Sequence, residues 1–454
     1  MPSDFMSSPQ TQCPVCSRPA GQDTLRPLVG VEDSIKELLR TNARAWKPGA
    51  QVCTDCLNWL TEIQKSLPAR FPQFASQDLK ILPTPIRLSA PDPLRGRGIT
   101  IAFLDSGFFA HPDLTGPTNR ILKYVNLVGQ TGAIDLVKPD VSAWHGMMTS
   151  VVAAGNGLLS GGLYRGIASE ANLVLIKVGS ASRIRHEDIT LGLRWIIRNR
   201  KRYNIRIANV SCGGDYEASY LSDPLCQAAE SATKAGLVVV AAAGNAGNRD
   251  YHPVLPPASA PSVITVGGLD DKNTLEFSDN EMYRSSYGPT IDGLQKPDLI
   301  APSIWVAAPI LPGTQTAEQA ALLSDLNNAK DAELGELIRL HQGVDSDLDK
   351  ATVLDPYLIR QLVRIKIHDN NVISGYYKHV DGTSFSAPIV SSIVAQMLEA
   401  NPDLKPHEVK LALAATAVRL MNADPSKQGW GVVNPTAAVQ AVSGAGKQPE
   451  AKTA

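Results

Sequence analysis

Three short stretches carry residue types able to do nucleophilic chemistry: Leu104-Asp105-Ser106-Gly107, Trp144-His145-Gly146 and Gly382-Thr383-Ser384-Phe385-Ser386-Ala387-Pro388. A serine hydroxyl is a poor nucleophile until a base removes its proton. An imidazole is suited to that task, and it works best when a carboxylate fixes its tautomer and stabilises its charged form. The chain supplies all three groups in the order Asp, His, Ser. Asp105 follows an apolar run, and ligands of parallel α/β sheets bind beyond the carboxyl ends of strands. Ser384 is expected to open a helix running to about Glu399, with Pro388 in its first turns, where a missing N–H costs little.

These motifs resemble those of the subtilisin-like serine protease (subtilase) family. The likeness continues in His111-Pro112-Asp113-Leu114, Ser211-Cys212-Gly213-Gly214, the run Val-Val-Val-Ala-Ala-Ala-Gly-Asn-Ala-Gly at 238–247, Pro261-Ser262-Val263-Ile264-Thr265-Val266-Gly267 and Lys296-Pro297-Asp298-Leu299-Ile300-Ala301-Pro302. It covers roughly residues 96–440. The resemblance implies a serine endopeptidase acting through an acyl-enzyme. Ser384 would be the nucleophile, His145 the general base and then acid, and Asp105 its orienting carboxylate. Asn245 would donate to the oxyanion beside the Ser384 backbone N–H. A Gly-Asn pair by itself reads as an ordinary turn; here it follows the apolar run and accompanies the other motifs.

Substrate recognition is implied in the same way. The edge Ser211, Cys212, Gly213 and Gly214 would pair with an extended peptide. The side chain preceding the scissile bond would lie between that edge and Ala242, Ala243 and Gly244, with Leu255 near a shallow floor. Two departures stand out: Met147 follows His-Gly where the family has threonine, and Cys212 sits within the edge, where it reads as a small buried apolar residue. His186, His252, His341, His368, His379 and His407 read as surface or loop residues.

The elements that must position these groups follow from periodicity. Apolar β-branched runs at 99–104, 171–178, 205–210, 237–242 and 263–267 read as buried strands, and amphipathic stretches at 186–203 and 223–235 read as helices. That alternation predicts an α/β domain with a mainly parallel central sheet covered on both faces. The resemblance makes it a three-layer subtilisin-like fold. It spans 98–443 and includes a helical insertion at about 313–372. The insertion reads as a hairpin of two amphipathic helices, 316–341 and 355–368, either overhanging the cleft or packed as a surface decoration. Residues 444–454 read as a disordered tail.

Residues 1–68 hold two Cys-x-x-Cys pairs, Cys13/Cys16 and Cys53/Cys56. Two such pairs suit a tetrahedral four-thiolate site for a structural Zn²⁺, in a small zinc-ribbon or treble-clef-like module. Redox pairs or disulfides are the alternative. Helices are expected near 31–41 and from Cys53 onward, and the proline-rich stretch 69–97 reads as an extended linker. Calcium is possible but has no readable ligand set.

The 454 residues, 43% hydrophobic and 19% charged with a net charge of −1, describe an ordinary globular chain. That balance argues against binding held mainly by nucleic-acid phosphates or anionic lipid. Residues 1–12 lack a basic start and an apolar core, and no run is long enough to span a bilayer, so a cytoplasmic location is expected. Expected partners are protein or peptide substrates, and a protein bound through the N-terminal module or the insertion. The competing reading is a catalytically silent peptide-binding adaptor with a zinc interaction module; the intact set Asp105, His145, Asn245 and Ser384 argues against it.

Overall fold

The computed structural model describes residues 81–443 except 130–135 and 181, together with short stretches at 11–12, 19–20, 25–29, 49, 51–54 and 57. The chain divides into two compact units, Met1–Lys80 with Pro91–Pro93, and Ile81–Ala90 with Leu94–Ala454. In the first unit Thr11–Gln12 pairs antiparallel with Pro19–Ala20, and Leu25–Pro27 with Gln51–Cys53. Cys53 closes a strand and helical residues follow at Thr54 and Leu57, within one residue of the expected helix start. Cys13, Cys16, Cys56, the helix expected at 31–41 and the tail 444–454 lie outside the described residues.

The second unit is built on a twisted sheet. Its strands are β1 (Thr100–Asp105), β2 (Ile121–Asn126), β3 (Asn172–Lys177), β4 (Ile205–Val210), β5 (Val238–Ala242), β6 (Ile264–Asp270), β7 (Glu281–Met282) and β8 (Leu299–Pro302). The order is β7-β6-β5-β4-β1-β3-β2, with β8 also paired to β6. Every pairing is parallel except that of β6 with β7.

Alternate residues of each strand feed opposite faces. Ile101, Phe103, Leu173, Leu175 and Val240 pack with Met147 and Val151 of α1 (Ala143–Ala154) and with Ile389 and Ile393 of α8 (Thr383–Ala400). Ala102, Leu104, Val174, Ile176 and Val239 pack on the other face with Ile189 and Leu193 of α2 (His186–Asn199) and Leu225 and Ala229 of α3 (Pro224–Lys234). Each fully buried branched side chain contributes roughly 1.5–3 kcal/mol. The result is the expected three-layer α/β arrangement. Helix α8 is buried along nearly its whole length, and its buried Ser386, Ser391 and Ser392 hydroxyls are all hydrogen-bonded.

Residues 81–90 and 94–97, expected to be linker, belong to this body. Ile81 and Leu82 are buried, and the Leu82 N–H donates to Asn273 Oδ1 at 2.6 Å. The buried Arg87 guanidinium pairs with Asp271 at 2.8 Å and donates to the carbonyls of Trp305 and Ile304 at 2.6 and 3.1 Å. A buried charge persists only with such partners.

The insertion lies between the antiparallel strands β9 (Val306–Pro309) and β10 (Tyr377–Val380). It holds four helices rather than two: α4 (Gln315–Asn328), α5 (Leu334–Leu340), α6 (Ser346–Ala351) and α7 (Pro356–Asp369). The expected helix 316–341 breaks after Asn328, where Ala329 turns extended, and Arg360 of α7 caps the carbonyls left free. Its guanidinium donates to Leu326 O at 2.6 Å, to Asn327 O at 3.3 Å and to Ala329 O. Asp345 and Asp355 cap α6 and α7 by accepting their first free N–H groups. Among the described residues no helix is long and apolar enough to cross a membrane.

Candidate active site

Asp105 is the last residue of β1 and is buried. His145 is the third residue of α1, and its Nδ1 lies 2.8 and 2.9 Å from the two Asp105 carboxylate oxygens. The Ser106 backbone N–H donates to Asp105 Oδ1 at 2.7 Å, and Thr149 Oγ1 lies 3.4 Å from Oδ2. With Asp105 accepting, Nδ1 must carry the ring proton, which leaves Nε2 as the free basic nitrogen. Burial of the ring disfavours its charged form, but the Asp105 charge and hydrogen bond together outweigh that and hold the His145 pKa above the ordinary 6.5. Helix α1 reaches this position because Gly146 has no side chain: a Cβ there would stand 2.1 Å from Gly107 O and 2.9 Å from Asp105 Cβ. Met147 is fully buried in the core between α1 and the sheet.

Ser384 is the second residue of α8, after Gly382 at φ +134, a backbone conformation open to glycine. Pro388 falls in the second turn, beyond the position where its missing N–H is free of cost. The carbonyl it leaves without a helical donor is that of Ser384, four residues back. Ser211 supplies the replacement, its hydroxyl donating to Ser384 O at 2.9 Å. Asn209 Nδ2 donates to Ser211 Oγ at 2.9 Å and fixes that hydroxyl, and Ser391 Oγ donates to Asn209 Oδ1 at 3.0 Å. The Ser384 hydroxyl itself donates to Ser211 O at 3.1 Å.

Asn245 faces this helix start. The Thr383 N–H and hydroxyl both lie 3.0 Å from its Oδ1, and Gly244 N–H donates to Thr383 Oγ1 at 3.2 Å. A backbone N–H can only donate, so the oxygen of the amide faces Thr383 and Nδ2 is turned away. A Cβ on Gly382 would lie 3.7 Å from Asn245 Nδ2 and 3.8 Å from Ser384 N. Both nitrogens thus lie within 4 Å of the space a Gly382 side chain would fill.

The expected peptide edge is unevenly available. Ser211 is buried and engaged with α8, Gly213 is exposed, and the Gly214 N–H already donates to Pro256 O at 2.6 Å. Cys212 Sγ lies 3.8 Å from Leu104 O, and burial, with the nearby Asp105 charge, pushes its thiol well above the usual range, so it stays neutral. Ala242 ends β5, Ala243 is buried with its N–H on Val266 O at 2.9 Å, and Gly244 is half-buried.

Two histidines read as surface residues are buried instead. His186 Nε2 lies 2.7 Å from Asp223 Oδ2, and its ring stacks on Tyr216 at 4.6 Å. His379 on β10 has no partner for either ring nitrogen, and burial, reinforced by Lys378, His368 and Arg87, lowers its pKa to about 4. Both became core residues through contacts that sequence spacing does not record. Thr149 was legible in principle, since it lies four residues after His145 on the same helix face. Among the described residues no three His, Cys, Asp or Glu side chains converge on a metal-sized centre.

The chain is 33% identical over 356 residues to serine protease AprX of Bacillus subtilis (strain 168), covering 75% of this chain and 66% of that protein. It is 34% identical over 168 residues to Subtilisin-like protease 2 of Trichophyton rubrum, covering 36% of each. The chain thus spans no more than about two thirds of the length of either relative. The solved structure of prenylagaramide maturation protease PagA matches with a TM-score of 0.49 and 20% identity, over 76% of this chain and 94% of that one. The sequence profile of the Subtilase family, Peptidase_S8, matches residues 96–431, the stretch that holds Asp105, His145, Asn245 and Ser384: the chain belongs to the subtilase family.

Proposed function

We propose that this chain is a serine endopeptidase that cleaves peptide bonds through a covalent acyl-enzyme. The observation that supports the reading is the Asp105–His145 bond, with the His145 ring 5.9 Å from the ring of Phe385, the residue after Ser384. For the reaction the Ser384 hydroxyl must leave Ser211 O and donate to His145 Nε2. His145 takes the proton as Ser384 Oγ attacks the carbonyl. Asn245 Nδ2 and the Ser384 N–H hold the oxyanion, and His145 then protonates the leaving amine. Water, activated by the same histidine, releases the acid product. The exposed part of the edge at Gly213, facing Ala242, Ala243 and Gly244, would hold the peptide by backbone pairing, which tolerates many sequences. The test is labelling of the full chain with a fluorophosphonate and turnover of a chromogenic peptide. Both should be present in the wild type and absent in Ser384→Ala; a folded wild type that does neither would leave only the adaptor reading.

We also infer a structural Zn²⁺ held by Cys13, Cys16, Cys53 and Cys56, a reading supported by the spacing of the two pairs. Such a four-thiolate site has no open position and takes no part in the acyl transfer. Elemental analysis of the purified chain should find about one zinc per chain, lost in Cys16→Ser. Zinc absent from both would refute it.

A further inference from the structure

Lys177 closes β3 directly beside Asp105, its register partner in the parallel β1–β3 ladder. Side chains at paired positions leave the same face. Here that face is the one on which Leu173, Leu175, Ile101 and Phe103 meet α1. A lysine at this place needs a partner, and it has two: its ammonium donates to Ser142 Oγ at 2.7 Å and lies 4.0 Å from Asp140 Oδ1.

The direction of these bonds is forced. An ammonium can only donate, so Ser142 Oγ accepts from Lys177 and its own proton goes to the Asp140 carboxylate. The Ser142 N–H donates to the same carboxylate at 2.9 Å. These bonds from Ser142, with the Lys177 charge adding to them, hold the Asp140 carboxyl below its ordinary range.

Ser142 also faces the other way. Its carbonyl accepts from Ser106 Oγ at 2.8 Å, and the Ser106 N–H donates to Asp105 Oδ1 at 2.7 Å. Ser142 immediately precedes α1, so His145 follows it by three residues on the first turn. One serine thus joins the Lys177–Asp140 pair to the loop that carries Asp105 and to the helix that carries His145.

We propose that Lys177 is a positioning residue for the His145–Asp105 pair, fixing the first turn of α1 against the Asp105 loop by ordering Ser142 and Asp140. It touches neither substrate nor reacting atoms. The groups expected to hold the peptide, around Gly213 and Ala242 to Gly244, lie at and beyond the ends of β4 and β5, so loosening this node misplaces the base while leaving substrate affinity intact. A brace that served only the fold would lower the unfolding midpoint and leave kcat unchanged in the folded fraction. This inference rests on the serine-endopeptidase reading.

The test is steady-state kinetics of the full chain on one chromogenic peptide for Lys177→Met, Ser142→Ala and the double variant, with thermal unfolding alongside. Each single variant is expected to lower kcat by roughly 10- to 100-fold with KM changed by less than about twofold. The double variant should lose no more than the worse single, because both act through one node. A Lys177→Met enzyme with kcat within about twofold of wild type, a loss carried by KM, or additive losses would each overturn the proposal. If Lys177→Met does not fold, Ser142→Ala deletes a single oxygen and carries the same split. Absent turnover and labelling in the wild type would sink the endopeptidase reading; an active wild type with an unaffected Lys177→Met sinks this inference alone.

Discussion

Around Asp105 and Ser384 the chain packs polar groups with defined hydrogen-bond partners, whereas the core of the insertion between β9 and β10 is mainly aliphatic. In the first region Pro388 denies Ser384 O a helical donor and Ser211 replaces it, while Thr383 decides which way the Asn245 amide points. In the second, Leu322, Leu323, Leu326, Leu334, Ile338, Leu348, Ile359 and Val363 are buried, while Leu354, Leu358 and Ile365 face outward. Hydrogen bonds specify direction and hydrophobic contacts specify mainly volume. Single-atom changes should therefore damage the first region through rate, and the second through stability in proportion to buried area.

Substitutions can break that contrast. The largest effect is expected for Ser384→Ala, which should reduce peptide turnover by about a thousandfold or more with an unchanged unfolding midpoint. Residual turnover near the wild-type level would place the nucleophile elsewhere. Asn245→Ala should cost roughly a hundred- to a thousandfold in kcat with little change in KM. An effect carried by KM would mean that the amide binds substrate rather than the oxyanion.

The pH profile sharpens the same side of the comparison. His145 acts as base only when neutral, and its pKa is held above 6.5, so the acid limb of kcat/KM should lie above pH 6.5. Asp105→Asn removes the charge that opposes the burial penalty, so its limb should move to lower pH while the rate falls. A wild-type limb at or below 6.5 would contradict the Asp105–His145 coupling.

In the insertion the currency changes to stability. Leu326→Ala, at a fully buried position of α4, should cost about 2–5 kcal/mol in denaturant unfolding, with kcat on short peptides retained in the folded protein. A fall in kcat of the size seen for Asn245→Ala would show that the insertion shapes the catalytic end after all. Least of all, Leu358→Glu on the outer face of α7 should shift stability by no more than about 0.5 kcal/mol. A larger loss would reveal a partner covering that face.

The catalytic body illustrates how far local pattern reaches. The strands at 99–104, 171–178, 205–210, 237–242 and 263–267 were legible because a buried parallel strand is apolar throughout, and each appears within a few residues of its expected bounds. The start of α8 beside Ser384 was legible from Gly382 and the apolar run after it. The break after Asn328 was not, because the residue that caps its free carbonyls, Arg360, lies about thirty residues onward. Nor did spacing show that residues 81–90 would bury Ile81, Leu82 and Arg87 in the body rather than run over its surface.

The sequence by itself thus determined which groups can react, on what kind of element each would lie, and that the sheet would be covered on both faces. These follow from residue chemistry and from periodicity over a dozen positions or fewer. Only the tertiary structure decided that Ser211 completes the bond Pro388 cannot make, that Lys177 meets Ser142, and that His186 and His379 are buried. Those contacts join residues tens to hundreds of positions apart. They exist only once strand order and register bring β1, β3, β4 and α8 to the same end of the sheet.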